Sequence, residues 1–426
     1  MKKYIITGGN VIDGKIEAEC AKNAVLLFLA ASVMTDENII IEKCPDIADV
    51  NIMRKLLENA GAQVKKEDGN LIIDPSSVGS YIADEELSEK LRASVFLLGA
   101  FLSRFKKAVI PFPGGCKIGK RPVDLHISAF EKLGIKFDFY KILGKNGECK
   151  EYMEAKADKI TGGEIKLGFP SVGATENIML LSAVSSETTV IKNAAREPEI
   201  VDLQNFLNVL GAKISGAGSK EIVIEGVKKL HGGKYKAIGD RIEGGTFLLA
   251  AAITGGKIEL KGIDPKNLPV FLNKLSSNTC KITYGNDIIF LKSEGKRKAF
   301  SFTTGPFPEF PTDLQAQTAV LDSVSEGESF VKETVFESRF SYINELKKAG
   351  ARIEVSDNVA FIKGVKRLHA AEFTAPDLRS GAALVLAGLN AEGETAVSGI
   401  EYIKRGYSHF DEKLRSLGAD ITENET

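Results

Sequence analysis

An amphipathic helix that ends in Gly-Ala or a near variant and runs straight into a strand recurs six times along the 426 residues. The copies are IMRKLLENAGAQV, ISAFEKLGIKF, LQNFLNVLGAKI, VFLNKLSSNTCKI, YINELKKAGARI and FDEKLRSLGADI. Their glycines, Gly61, Gly134, Gly211, Gly350 and Gly418, fall about 70 residues apart, and the fourth copy has Ser277-Asn278 instead. A glycine at that place supplies the positive φ that stops a helix and turns the chain into the next strand. A period of this kind restricts the chain to repeated supersecondary units.

Ahead of each such helix stands a second pattern, a more apolar helix followed by a strand. Examples are AVLLFLAASVM before NIIIEK, SVFLLGAFLSRF before AVIPFP, FLLAAAIT before KIELKG and AALVLAGLN before TAVSG. These helices are apolar on nearly every face and so need burial on all sides, whereas the Gly-Ala helices carry a Lys/Glu face suited to water. Turn signals such as EDGN at Glu67 and SDN at Ser356 close pairs of strands into hairpins. Each unit therefore reads as two helices on a small sheet, and six units divide naturally into three and three.

Hydrophobic residues at 43% and charged residues at 27% give a globular balance with material for large cores, and 426 residues suit two domains. With 56 Lys+Arg against 57 Asp+Glu, no cationic excess exists for nucleic acid or an anionic membrane. The N-terminus lacks a signal-peptide pattern, and the longest apolar runs fall short of the ~20 residues of a membrane span, so a cytoplasmic location is expected. Five cysteines without a CxxC pair and four scattered histidines suggest neither disulfides nor a metal site.

Residues suited to chemistry stand at the ends of these elements. In PFPGGCKIGKR the cations Lys117, Lys120 and Arg121 surround Cys116 and favour its thiolate, which makes it the reactive candidate among the cysteines. Lys22-Asn23 opens an apolar helix, where backbone N–H groups already attract an anion. Asp313, after the turn GPFPEFPT, reads from position alone as a helix cap contributing ~1 kcal/mol. Arg92, Arg121, Arg241, Arg339, Arg379 and Arg405 occupy Gly- or Pro-marked junctions. Arginines at element ends usually form surface pairs of under ~1 kcal/mol, but six at such places suit a substrate with phosphate and carboxylate groups. Neither GxxxxGK[ST] nor GxGxxG after a strand appears, which removes the common nucleotide sites.

The sequence resembles the enolpyruvyl transferases over essentially its whole length. The likeness rests on AKNA at Ala21, LRAS at Leu91, PGGCKIGKRPVDLH at Pro113, PSVGATEN at Pro170 and AREPEIVDL at Ala195. It continues in DRIEGGTF at Asp240, FPTDLQAQ at Phe310, ETVFESRF at Glu333, DLRSGAALVLAGL at Asp377 and RGY at Arg405. The resemblance implies an α/β (α+β) fold, a two-domain inside-out α/β barrel of six βαβαββ-type repeats, three per domain. One domain would cover 22–238 with the Cys116 loop, and the second 1–21 plus 239–426. The implied branch moves the enolpyruvyl group of phosphoenolpyruvate to the 3′-hydroxyl of UDP-N-acetylglucosamine with release of phosphate, the first committed step of peptidoglycan synthesis. It needs no metal and no cofactor, and its partners are those two small molecules.

Roles follow from the resemblance position by position. Lys22, Arg121 and Arg405 would hold the phosphate and carboxylate of phosphoenolpyruvate, with Asn23 beside them. Cys116 would give a proton to the methylene carbon or assist product release, and Asp313 would take the proton of the sugar hydroxyl. Arg92, the run Arg121, Pro122, Val123, Asp124 and Leu125, then Ser171, Val172 and Gly173, and Val335 would contact the UDP-sugar. Arg339, Asp377 and Arg379 would complete a cleft that closes when the two lobes approach. A thiol of this kind also implies alkylation by the epoxide fosfomycin. PDLRSG, KRGY and PEF depart from the usual family wording, without removing a proposed catalytic group.

Two other readings compete. The sister transferase acting on shikimate 3-phosphate shares the phosphoenolpyruvate site but lacks the reactive-cysteine loop. A non-catalytic ring or clamp would repeat its charged positions in every unit, whereas here they are particular to single repeats.

Overall fold

The predicted repeats are present, and the way they close explains where the chain's ends go. The computed structural model describes residues 2–112, 123–143, 149–277, 280–294 and 296–425. Among the described residues, six small sheets are formed. In five of them an edge strand lies parallel to a strand that follows a buried helix, and two further antiparallel strands complete the order; those two form a hairpin in four of the five sheets, and in the fifth they are Lys2–Thr7 and Asp420–Glu425. The sixth has three strands, Lys107–Pro111, Cys149–Lys156 and Lys136–Leu143, with a single parallel bridge from Ile82 to Val109 at the edge position.

The described residues divide into two compact units, one built from those between 20 and 238 and the other from 2–19 with those between 239 and 425. Each is circular in its pairing. In the first, the late strand Gly233–Lys236 returns to lie parallel to the early strand Ile39–Glu42. In the second, Asp13–Glu17 lies parallel to Lys257–Lys261, and Lys2–Thr7 inserts between Glu394–Ser398 and Asp420–Glu425.

Three helices fill the centre of each unit: Lys22–Ser32, Phe96–Phe105 and Val172–Ser182 in the first, Arg241–Thr254, Gln315–Ser323 and Leu378–Asn390 in the second. Their sequences lack a polar face, and the structure buries them accordingly. Every residue from Ala24 to Ser32, from Arg241 to Ile253 and from Leu378 to Leu389 is buried. Each unit has its own continuous apolar core around these helices. The Gly-Ala helices behave differently. In Ala48–Ala60 only Asp49, Val50, Met53, Leu56, Leu57 and Ala60 are buried, a helical stripe.

The five turn glycines all have positive φ, between 87° and 112°. At Gly211 a side chain would also meet the His231 ring, 2.9 Å from an added Cβ. The EDGN hairpin turns with Asp68 at φ 48° and Gly69 at φ 77°, the signs required by a two-residue type I′ turn.

The buried helices share a direction within each unit. Arg104, at the C-terminal end of Phe96–Phe105, donates to the carbonyls of Val33 at 3.1 Å and Thr35 at 2.7 Å, just beyond Lys22–Ser32. Arg297 likewise donates to Ile253 O at 2.6 Å and Val324 O at 3.4 Å, and Asn390 Nδ2 donates to Ile253 O at 3.1 Å. Carbonyl ends thus gather at one pole of each unit, and the N–H ends, with their partial positive charge, at the other.

Candidate active site

The candidate residues sit at those N-terminal poles. In the unit of residues 20–238, Lys22 is the first residue of its helix, and its Nζ donates to the buried Asp49 at 3.2 Å. Asn23 beside it is exposed. Arg92 opens the short 3₁₀ turn Arg92–Val95 that leads into Phe96–Phe105. Val123 precedes the helix Asp124–Lys132, whose first turn holds an exposed Asp124 and a half-buried Leu125. Ser171 caps Val172–Ser182, its hydroxyl oxygen accepting from Ala174 N at 3.3 Å, and Val172 and Gly173 begin the helix. Cys116, Arg121 and Pro122 lie outside the described residues.

Two residues with no chemical signal in the sequence, Asn177 and His126, bring these segments together. Asn177 Nδ2 donates to Val95 O at 2.9 Å and lies 3.1 Å from His126 Nδ1, while Asn177 Oδ1 accepts from Gly99 N at 3.0 Å. One amide therefore joins the starts of three helices, those following Arg92, Val123 and Ser171. His126 is buried, and burial first, then the nearby Arg92 charge, lowers its imidazole to about 4. It is a neutral structural histidine at pH 7. The Gly173 backbone faces the His126 ring, which an added Cβ would meet at an ordinary contact distance of 3.4 Å.

In the other unit the geometry corrects the reading of Asp313 as a cap. It lies in the 3₁₀ turn Thr312–Leu314, and its carboxylate caps neither that turn nor the helix Gln315–Ser323. Oδ2 instead accepts from Arg379 Nε at 3.1 Å and pairs with Arg379 Nη2 at 3.0 Å, and Oδ1 is paired with Arg339. The general expectation of weak surface pairs fails here too, because Arg339 and Arg379 are 2% and 4% exposed. Two buried guanidiniums on one partly exposed carboxylate fix its direction.

Asp377 is the cap of this group. Its Oδ1 accepts from Arg379 N at 2.9 Å and Ser380 N at 3.1 Å, and its Oδ2 from the Ser380 hydroxyl at 2.5 Å and the Ser341 hydroxyl at 3.3 Å. The Arg379 backbone is thus set by Asp377 while its side chain serves Asp313. Tyr407 supports the guanidinium from below, with the ring centroid 5.4 Å from Cζ. The buried Tyr407 hydroxyl is 2.9 Å from Thr246 Oγ1 and accepts from Gln317 Nε2 at 3.3 Å, which ties it to two central helices. Burial works against the Arg379 cation, yet Tyr407 and Asp313 outweigh it and leave Arg379 above its ordinary range. Arg405 is half-buried, two residues before Tyr407. Val335 directs its N–H to the buried Glu333 at 2.7 Å.

Such a group can take a proton from a hydroxyl at Asp313 while cations and helix N-termini nearby hold anionic groups. Among the described residues no helix is long and apolar enough to cross a membrane.

Comparison with known proteins gives a consistent picture. Residues 6–414 match the family model described as EPSP synthase (3-phosphoshikimate 1-carboxyvinyltransferase). The chain is 44% identical over 422 residues to UDP-N-acetylglucosamine 1-carboxyvinyltransferase 2 of Caldanaerobacter subterraneus subsp. tengcongensis, covering 99% of both chains. It is 43% identical to UDP-N-acetylglucosamine 1-carboxyvinyltransferase 1 of Carboxydothermus hydrogenoformans, covering 99% of this chain and 98% of that one. Among solved structures, the enolpyruvyl transferase NikO from Streptomyces tendae superposes with a TM-score of 0.87 at 25% identity, over 100% of this chain and 99% of that one. EPSP synthase from Acinetobacter baumannii does so with a TM-score of 0.76 at 16% identity, over 100% of each chain, a likeness of fold.

Proposed function

The chain belongs to the EPSP synthase family, and from that premise we propose that it transfers the enolpyruvyl group of phosphoenolpyruvate to the 3′-hydroxyl of UDP-N-acetylglucosamine. The observation that carries the choice of acceptor is the 44% identity, over 99% of both chains, to a relative named for that sugar nucleotide. The shikimate 3-phosphate reading has only the broad family model and fold likeness at 16% identity behind it.

In this reading Asp313 removes the proton of the sugar hydroxyl as its oxygen bonds to C2 of phosphoenolpyruvate, and Cys116 delivers a proton to C3. The tetrahedral adduct then gives a C3 proton back to the Cys116 thiolate while the C2–O bond to phosphate breaks, which restores the double bond, and the proton taken by Asp313 leaves with the phosphate. Each proton has a donor or acceptor among the chain's own residues. Lys22, Arg121 and Arg405, with Asn23, are assigned to the phosphate and carboxylate. Arg92, the run 121–125, Ser171 to Gly173 and Val335 are assigned to the UDP-sugar, and Arg339, Asp377 and Arg379 to orienting the base. Cys116 is also the proposed site of fosfomycin alkylation, and a cytoplasmic location is part of the proposal.

The test is phosphate release from phosphoenolpyruvate with UDP-N-acetylglucosamine, run beside shikimate 3-phosphate and an Asp313→Ala variant. Release that requires the UDP-sugar and collapses in the variant is the expected result. Release with shikimate 3-phosphate alone overturns the assignment of the acceptor.

A further inference from the structure

Glu333 is 3% exposed, and its carboxylate accepts four hydrogen bonds. Oε1 takes the Thr304 hydroxyl at 2.8 Å and the backbone N–H groups of Val335 at 2.7 Å and Phe336 at 3.1 Å. Oε2 takes the Thr312 hydroxyl at 2.9 Å. One oxygen therefore shapes the turn that carries Val335, and the other reaches the residue next to Asp313.

Arg339 grips the same residue from the opposite side. Its Nε and Nη2 both donate to Thr312 O at 3.3 Å, and the guanidinium also pairs with Asp313. Its Cζ lies 5.5 Å from the centroid of Phe336, whose N–H is one of the four donors on Glu333. Thr312 is thus held by its hydroxyl through Glu333 and by its carbonyl through Arg339, and both holders belong to the segment 333–339.

We propose that Glu333 is a positioning residue that locks Asp313 in register with Val335, so that the base and the backbone assigned to the sugar nucleotide move as one piece. The inference rests on the reading of Asp313 as the base. A buried carboxylate suits the task because it accepts at both oxygens and leaves none of the four donors unsatisfied. A glutamine can substitute only one way round. Its oxygen must face the two backbone N–H groups, which cannot reverse, and its amide must face Thr312, whose hydroxyl can rotate to accept.

The test compares Glu333→Ala, Glu333→Gln and Thr312→Val with Ser329→Ala. Ser329 also donates a buried hydroxyl to an acidic side chain, the carboxyl group of Asp322 at 3.1 Å, and so controls for the loss of one such bond. Thr312→Val is expected to lower kcat about 10-fold and Glu333→Ala about 100-fold, with KM for phosphoenolpyruvate within about 3-fold. Glu333→Ala should also raise KM for UDP-N-acetylglucosamine, Glu333→Gln should stay within about 5-fold of the parent in kcat, and Ser329→Ala should lose thermal stability alone. Amide exchange in the same proteins without substrate should quicken at 312–314 and 335–336 in Glu333→Ala, at 312–314 alone in Thr312→Val, and at neither place in Ser329→Ala. Equal kcat in Thr312→Val and Ser329→Ala, or unchanged exchange at 312–314 in Glu333→Ala, overturns the proposal. Absence of sugar-dependent release in the parent protein overturns the functional reading instead, and the exchange comparison still decides the lock.

Discussion

Arg379 directs Nε and Nη2 to the same oxygen of Asp313, at 3.1 and 3.0 Å, and leaves the other oxygen to Arg339. The carboxylate is therefore oriented by cations whose own burial forbids them to swing away. Asp313→Asn keeps the shape but turns an amide N–H₂ toward one guanidinium, donor against donor. Asp313→Ala leaves two buried cations without their shared partner.

Both Asp313 variants should lose about 10²–10⁴ in kcat, the usual contribution of a positioned base, as read by steady-state phosphate release. The alanine variant should also be less stable by roughly 2–3 kcal/mol, below the loss for a fully buried pair because the Asp313 side chain is 29% exposed. Urea denaturation at pH 7 checks this part. Retention of more than a tenth of parental kcat in Asp313→Ala would remove Asp313 from the role of base.

Tyr407 presents a second, milder case. Tyr407→Phe keeps the ring under Arg379 but removes the hydroxyl shared with Thr246 and Gln317, both wholly buried. Loss of that hydroxyl should cost about 1–2 kcal/mol in stability, since Gln317 Nε2 then keeps only its 3.3 Å bond to Thr246. A drop of about 5-fold in kcat with little change in either KM is expected if the network steadies Arg379. Unchanged kcat in a correspondingly destabilised protein would mean that the hydroxyl serves the core alone.

The repeats could be read before any coordinates because two periodic signals, apolar all round and apolar on one stripe, alternate with glycine stops. Both are local properties of a segment. That Lys22 and Asp313 stand at helix starts was legible for the same reason. What each side chain touches was not. Asp49 lies 27 residues from Lys22, Asn177 51 from His126, and Arg379 66 from Asp313. Those pairings depend on how three central helices gather their N-termini, a long-range fact with no periodic trace. Glu333 opens the motif ETVFESRF, but an isolated glutamate near a strand end looks the same in sequence whether it faces water or four donors.

His126 makes the stability of the protein depend on pH in a predictable direction. Burial lowers its imidazole from 6.5 to about 4, so between those values the unfolded chain binds a proton that the folded one refuses. Its contribution is fully present above about 6.5 and is lost as pH falls through about 4, up to roughly 3 kcal/mol. Asp202, Asp322 and Glu243, raised by burial to about 6, 8 and 7, act in the opposite sense and weaken the fold as pH rises through their windows. The parent profile sums these with other shifted carboxyls, the buried Glu176 among them, so the informative quantity is the difference from His126→Gln. That difference should favour the variant by an increasing margin from pH 6.5 down to pH 4.5 in thermal melts. Parallel curves would show that His126 takes up its proton alike in the folded and unfolded states, against the lowering that burial implies.

Asp49 faces Lys22 with two opposed effects on an anionic ligand. Accepting from Nζ at 3.2 Å, it orients the ammonium, while its negative charge repels a phosphate that the same lysine is proposed to hold. Asp49 is almost wholly buried, so the repulsion is screened little by salt, and a positioning role must outweigh it for the pair to help binding. Asp49→Asn keeps an acceptor and removes the charge, and Asp49→Ala removes both. If orientation dominates, KM for phosphoenolpyruvate should rise about 10-fold in the alanine variant, a loss of about 1.4 kcal/mol, and stay within about 3-fold in the asparagine variant. A fall in KM in both variants would mean that repulsion is the larger effect and that Lys22 needs no partner at that side to hold its ligand.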